Sequence, residues 1–195
     1  MKRILLFCIP VALSGCSAWQ QSENNATSDT TVTPLAQCLG HTQLPEKLAN
    51  QFYAVNDSKL LNQSLGEPGK GKLCNGAVYQ AKPKTKVVIY RAWNSTNPNS
   101  KLGSWWAFSQ PSGSIAKYRE NYEICYQWSP LDKLVRCTLK PGTKIVLGGG
   151  QSAECSQYLS YPTSKSQQIF IEDASSAVKD CVEYTGMMSW IEAER

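Results

Sequence analysis

Val87-Val88-Ile89-Tyr90-Arg91-Ala92-Trp93 is the stretch on which the reading of this chain turns. β-Branched and aromatic side chains fill it, and Asn94-Ser95-Thr96-Asn97-Pro98 ends it, so it reads as a strand, the central one of the fold. Its single charge is at odds with that setting. Strand alternation puts Arg91 on one face with Val87, Ile89 and Trp93. An arginine there is costly unless its guanidinium meets an anion or a carboxylate, or reaches water from a sheet edge. Three readings of Arg91 follow: an anion clamp, a structural ion pair with Asp or Glu, or an edge position.

Downstream of this strand, residues 103 to 108 read as a second strand. Ser114 suits the cap of a helix running through Glu123, with Ile115, Tyr118 and Tyr122 on one face. Residues 133 to 139 and 143 to 147 read as strands joined at Pro141-Gly142, and residues 168 to 172 as another. Residues 174 to 184 read as a helix carrying Cys181. Upstream, Leu44, Leu48, Phe52 and Val55 recur at helical spacing behind Pro45, predicting one amphipathic helix. Gly66, Pro68, Gly69, Gly71 and Gly76 then mark a loop. Helices and strands mingle without βαβ repetition, so the expected class is α+β in a single disulfide-stabilised domain.

The chain has 195 residues, 42% hydrophobic and 18% charged, with six Trp. That is enough for one core, too rich in apolar groups for disorder and too mildly charged for a polybasic nucleic-acid binder. Met1-Lys2-Arg3 is followed by an apolar run of about ten residues, too short to cross a hydrocarbon core of about 30 Å, so an export signal is the better reading. Without Lys2 and Arg3 the formal charge falls from +5 to +3. Residues 17 to 36 are polar and closed by Pro34, a composition suited to a tether.

Leu13-Ser14-Gly15-Cys16 resembles the lipobox of bacterial lipoproteins. The resemblance implies a signal peptide over residues 1–15, diacylglycerol on Cys16, a tether over 16–36 and a globular domain over 37–195. It also implies a membrane partner held through acyl chains, and with Ser17 rather than Asp after the cysteine it favours the outer membrane. Cys8 leaves with the signal. Cys38, Cys74, Cys125, Cys137, Cys155 and Cys181 remain, an even number in an exported chain, and three disulfides are expected from the 15 pairings that six cysteines allow. Cys125–Cys137 is the preferred local bridge. No two of the six lie closer than that pair, so no zinc or other metal site is expected.

Among candidate motifs, Gly66-Glu67-Pro68-Gly69-Lys70-Gly71-Lys72 matches part of a phosphate-cradling loop, but Leu73 stands where Ser or Thr should bind magnesium. It reads as a flexible basic turn. The sole histidine, His41, has no Gly-x-Ser-x-Gly elbow to serve, since Gly150-Gln151-Ser152-Ala153-Glu154 lacks the closing glycine. Glu120, Glu123, Asp132, Glu154, Glu172 and Asp173 supply carboxylates for a glycosidase-like pair, or are solvated surface acids. Tyr90, Trp93, Trp105, Trp106, Phe108, Tyr118, Tyr122, Tyr126 and Trp128 fall close together, a store of rings for core or for a stacking platform. Alternation sends Trp105 and Trp106 to opposite faces, so one of them at most is expected in a given cleft.

Val88-Ile89-Tyr90-Arg91-Ala92-Trp93, Pro98 and Leu102-Gly103-Ser104-Trp105 together resemble the opening strand and loop of mono-ADP-ribosyltransferase toxins. The layout from Gly142 through Gly150 to Gln167-Gln168-Ile169-Phe170-Ile171 is similar to the late strands of that superfamily, including its NAD-glycohydrolase branch. The resemblance implies a split-sheet fold with flanking helices and NAD as ligand. It implies that Arg91 clamps phosphates, that Trp105 or Trp106 stacks on nicotinamide, that Ser109 supplies a hydroxyl, and that Gln168 touches the ribose. A glutamine carries no charge, so catalysis would need Glu172 to serve as the missing carboxylate. Such an enzyme, a NAD glycohydrolase or mono-ADP-ribosyltransferase, would require surface display or delivery into another cell. The other expectation is a lipid-anchored binding or protective protein without catalysis, whose aromatic groove takes a protein, a toxin or a cell-wall fragment. The enzyme reading alone requires Arg91, Gln168 and a tryptophan to converge on one cleft.

Overall fold

The computed structural model describes residues 37–192. The expected signal peptide, Cys16 and the expected tether lie outside the described residues. The chain is α+β and mostly sheet. A single helical turn α1 (Glu46–Ala49) leads to β1 (Phe52–Ala54), α2 (Ser58–Ser64), β2 (Ala77–Ala81), β3 (Val88–Trp93) and the short β4 (Trp105–Trp106). Then follow α3 (Ile115–Asn121), β5 (Lys133–Leu139), β6 (Lys144–Gly149), β7 (Ala153–Ser156), β8 (Leu159–Tyr161), β9 (Gln167–Phe170), the turn α4 (Ala174–Ala177), β10 (Val178–Thr185) and β11 (Ile191–Glu192).

Two antiparallel sheets organise these strands. One has the order β1-β2-β6-β9-β4 and the other β11-β10-β5-β3, while β7 and β8 form a separate hairpin. Their inner faces meet in a common core: Phe52, Ala81, Trp106, Ile145, Leu147 and Ile169 from the first pack with Ile89, Trp93, Val135, Leu139 and Val178 from the second. Each outer face carries a helix. Leu60 of α2 covers Val78 and Val146, and Tyr118 of α3 covers Ala92 and Leu131. Side-chain caps start both helices, Asp57 accepting from Leu60 N–H and Ser114 from Lys117 N–H.

Several expectations change in the folded chain. β3 forms, but at the edge of its sheet, with β5 on one side and a single bridge from Tyr90 to Ala107 on the other. The predicted helix over 45 to 55 stops after one turn. Phe52 then pairs in register with Ala81, because extended backbone gives it a neighbouring strand and a buried position together. The predicted helix over 174 to 184 is likewise one turn, capped by Asp173, followed by eight residues of strand. Pairing β10 along the whole of β5 satisfies a row of backbone groups that an isolated short helix would leave to water. The strands meeting at Pro141-Gly142, β5 and β6, lie in different sheets.

The six cysteines form three disulfides, Cys38–Cys74, Cys125–Cys155 and Cys137–Cys181. The expected Cys125–Cys137 bridge is therefore wrong. Cys137 belongs to the core between the sheets, whereas Cys125 packs with Ala153 and Cys155 in a separate cluster. Cys181 reaches Cys137 from an irregularity in β10, between Lys179 and Val182, where Asp180 takes a positive φ of 51°.

Candidate functional site

A cleft of about 190 Å³ opens where β3 of one sheet is joined to the segment after β4 of the other. Arg91, Trp93, Trp105, Trp106, Tyr118, Tyr122, Glu123, Trp128 and Gln168 line it. The volume lies below the range of about 300–1,000 Å³ typical of a site that encloses a whole drug-sized ligand, so it suits one end of a larger molecule.

Arg91 approaches from β3. Of the two structural readings made from sequence, the ion pair does not apply, and the edge position applies only in part, since β3 is an edge strand and Arg91 is partly exposed. It has no carboxylate partner among the described residues, and the strand edge beside it is covered by Ala107, whose N–H and C=O pair with Tyr90 at 2.9 Å. Arg91 Nε donates to Ser100 O at 2.8 Å and Nη1 to Trp105 O at 2.7 Å, which ties the loop between β3 and β4 to the strand. Nη2 donates to no described residue. Burial without a counter-charge brings the guanidinium down to about 10, so it stays cationic at neutral pH.

Trp105 and Trp106 both line the cleft, against the expectation of one at most. The alternation itself holds: Trp105 packs on Phe170, ring centroids 5.1 Å apart, and Trp106 is buried in the core with Nε1 donating to Gly103 O at 2.7 Å. The cleft runs past the end of this two-residue strand and so touches both rings. Trp128 stands at the rim, 51% exposed, and Tyr126 nearby in sequence is 59% exposed.

Gln168 enters from β9 and is 8% exposed. Its Nε2 donates to Glu123 Oε2 at 2.6 Å and to Tyr122 O at 3.3 Å, and its Oε1 accepts from no described residue. Glu123 is the residue that sequence reasoning undervalued. It appeared there as one of six acids with a solvated reading, yet it is 2% exposed and sits at a positive φ of 48° just after α3. Burial raises its carboxyl to about 8, against weaker pulls from Ser164 and Gln168. Glu123 Oε1 has no hydrogen-bond partner, nor does Trp93 Nε1. One buried acceptor and one buried donor are thus left without partners by residues that line the same cleft, a pattern for which a ligand is one of the physical explanations. The signal available in sequence was the setting of this acid, Tyr122-Glu123-Ile124-Cys125, a charge inside an apolar run.

The remaining candidates lie elsewhere. Ser109 is exposed and does not line the cleft. Glu172 is exposed, accepts from Gln63 Nε2 at 3.0 Å, and faces a groove with Asp57, Lys140 and Asp173, so it does not stand beside Gln168 as the missing carboxylate. His41 is exposed and its Nδ1 lies 3.1 Å from Gln167 Nε2. The glycine-rich turn is hydrogen-bonded along its length rather than free. Gly66 N–H goes to Leu73 O, Gly69 N–H to Ser152 Oγ, Lys70 N–H to Glu67 O and Gly71 N–H to Ser152 O, so these amides are not offered to phosphate. Among the described residues, no group of three or more His, Cys, Asp or Glu is arranged to hold a metal ion.

The chain matches no protein-family model, no curated protein and no solved structure.

Proposed function

We propose that this cleft takes the nicotinamide riboside end of NAD in an ADP-ribosyltransferase-like domain that binds or cleaves the dinucleotide. The observation that carries this reading is the convergence of Arg91, Trp105, Trp106 and Gln168, drawn from across 78 residues of chain, on one concave site. The two antiparallel sheets with a helix on each outer face are compatible with the split-sheet fold that the resemblance implies. Arg91 would hold phosphate through Nη2, and Trp105, the more exposed of the two indoles, would stack on the pyridinium face, where a cation above an aromatic ring is favoured. Cleavage would break the bond from C1′ of the ribose to the ring nitrogen. The electron pair goes to nitrogen, water adds to C1′, and a proton is released to solvent. The fold would be carried on a lipid anchor at Cys16, at the outer membrane.

A second reading keeps the cleft and omits the chemistry. Trp128 at the rim and Tyr126 two residues before it in sequence, both more than half exposed, offer stacking surface for a cell-wall sugar. Release of nicotinamide from NAD, followed by chromatography, separates the two. The enzyme reading expects turnover that Arg91→Lys and Gln168→Ala each reduce at least tenfold. NAD binding without turnover leaves a binding domain, and neither binding nor turnover at millimolar NAD removes the dinucleotide altogether. For the anchor, Cys16→Ser is expected to move the protein from the membrane to the soluble fraction, and continued membrane attachment would contradict acylation.

A further inference from the structure

Gln168 lacks the charge that a cationic ring would call for, and the carboxylate expected to replace it, Glu172, is remote. The cleft holds another. Glu123 Oε2 receives the Gln168 amide at 2.6 Å, and the two side chains press together over Gly150, where a β-carbon would stand 1.8 Å from Glu123 Oε2 and 2.3 Å from Gln168 Nε2. Only glycine leaves room for the pair. With its Nε2 engaged by Glu123 Oε2 and Tyr122 O, the amide has one orientation, and its carbonyl Oε1 is the end without a protein partner.

Around this pair the described residues supply no counter-charge. Glu123 is in none of the ion pairs. The titratable and charged groups on the walls are Tyr118 and Tyr122 of α3 and its end, Arg91 of β3 and Lys72 of the glycine-rich turn, and Gln168 of β9 is neutral. The two tyrosines are held above their ordinary range by burial and stay neutral, so they neither add nor cancel charge at physiological pH. Arg91 is engaged by two carbonyls, and Lys72 Nζ donates to Gln63 O at 3.1 Å. A buried carboxyl with an unpartnered oxygen, among indole and phenol rings and in no ion pair with the Arg91 and Lys72 on the walls, is complementary to an organic cation supplied by a ligand.

We propose that Glu123 is the charge-recognising residue of the cleft: it fixes Gln168 with its carbonyl free for the ligand and, as the carboxylate, selects a cationic pyridinium over its neutral counterpart. This rests on the NAD reading for the identity of the ligand, but the preference for a cation stands on the pair itself. Since burial holds Glu123 protonated below about 8, a bound cation favours the ionised form and releases a proton. Affinity for the cation therefore rises with pH until it levels above about 8.

Calorimetry on the oxidised protein, in two buffers of different protonation enthalpy, tests this. The probes are 1-methylnicotinamide against neutral nicotinamide, and NAD against its reduced form. Wild type is expected to favour each cationic member by about tenfold or more at pH 8, with proton release at pH 7, and Glu123→Gln to lose both the preference and the release. A Glu123→Gln protein that keeps them overturns the proposal, as does a wild type that binds 1-methylnicotinamide no better than nicotinamide. If that variant does not fold, the wild-type proton release at pH 7 and the rise of affinity with pH decide alone. Preference for 1-methylnicotinamide with no binding of either dinucleotide supports the role of Glu123 and overturns the NAD reading, whereas binding of NAD and its reduced form with equal affinity does the reverse.

Discussion

The Arg91 guanidinium lies against Gly103: a β-carbon on that glycine would stand 2.5 Å from Nη2 and 2.9 Å from Cζ. The contact explains why the loop between β3 and β4 needs a glycine there although its backbone is unstrained. Gly103→Ala is expected to push the guanidinium away from Ser100 O and Trp105 O, at a cost of about 1–3 kcal/mol in urea unfolding. Because the damage acts through Arg91, Gly103→Ala and Arg91→Lys are expected to be less than additive when combined. Simple additivity in that double-mutant cycle would show that the two residues are not coupled.

Glu123 gives the folded protein a distinctive pH dependence. Its folded carboxyl titrates near 8 and an ordinary glutamate near 4.5. The folded state thus binds this proton more tightly. The stability linked to it is fully present below about 4.5, declines as pH rises through about 8, and is constant above. Relative to wild type, Glu123→Gln is expected to gain stability between pH 5 and pH 9 by a few kcal/mol, on the order of 2–5. Denaturant melts of both proteins at pH 5, 7 and 9 read this difference, in which other titrating groups cancel. Parallel profiles would mean that the carboxyl is not held protonated.

The Cys125–Cys155 bridge spans 30 residues and anchors the segment that carries Glu123 and Trp128. Gln127 Nε2 donates to Cys155 O at 2.8 Å, and Arg119 reaches the carbonyls of Ile124, Cys125 and Ser129, so the bridge is one of several ties. Replacing both cysteines by alanine is expected to remove about 3–4 kcal/mol by loop entropy. Amide exchange should quicken over residues 122–129 while β5, held by Cys137–Cys181 and two neighbouring strands, stays protected. Equal loss of protection in both places would contradict a local role for the bridge.

How much of the site could be read beforehand differs from residue to residue. Arg91 was visible because a charge in a β-branched run needs a partner wherever the strand goes. The tryptophans were visible as part of a concentration of rings, and Gln168 only through a resemblance. Glu123 was named but lost among acids, since nothing local separates a solvated glutamate from one covered by Gln168 and Gly150, which lie 45 and 27 positions away. Ser109 and Glu172 were nominated by nearness in sequence to the right elements, and folding turned both to the surface.

Local chemistry alone determined β5 residue for residue, the start of α3 at the Ser114 cap, and the strand that bears Arg91. It also determined that six cysteines would be joined in pairs. Side-chain alternation, capping and half-cystine count act over a few residues or over none, so no knowledge of the fold is needed. Tertiary contact decided the rest: which cysteines meet, that Phe52 and the residues after Ala177 extend rather than coil, and that one carboxyl is closed off from water beside an amide. Strand pairing and burial are properties of two segments at once, and their energies exist only when distant parts of the chain have come together.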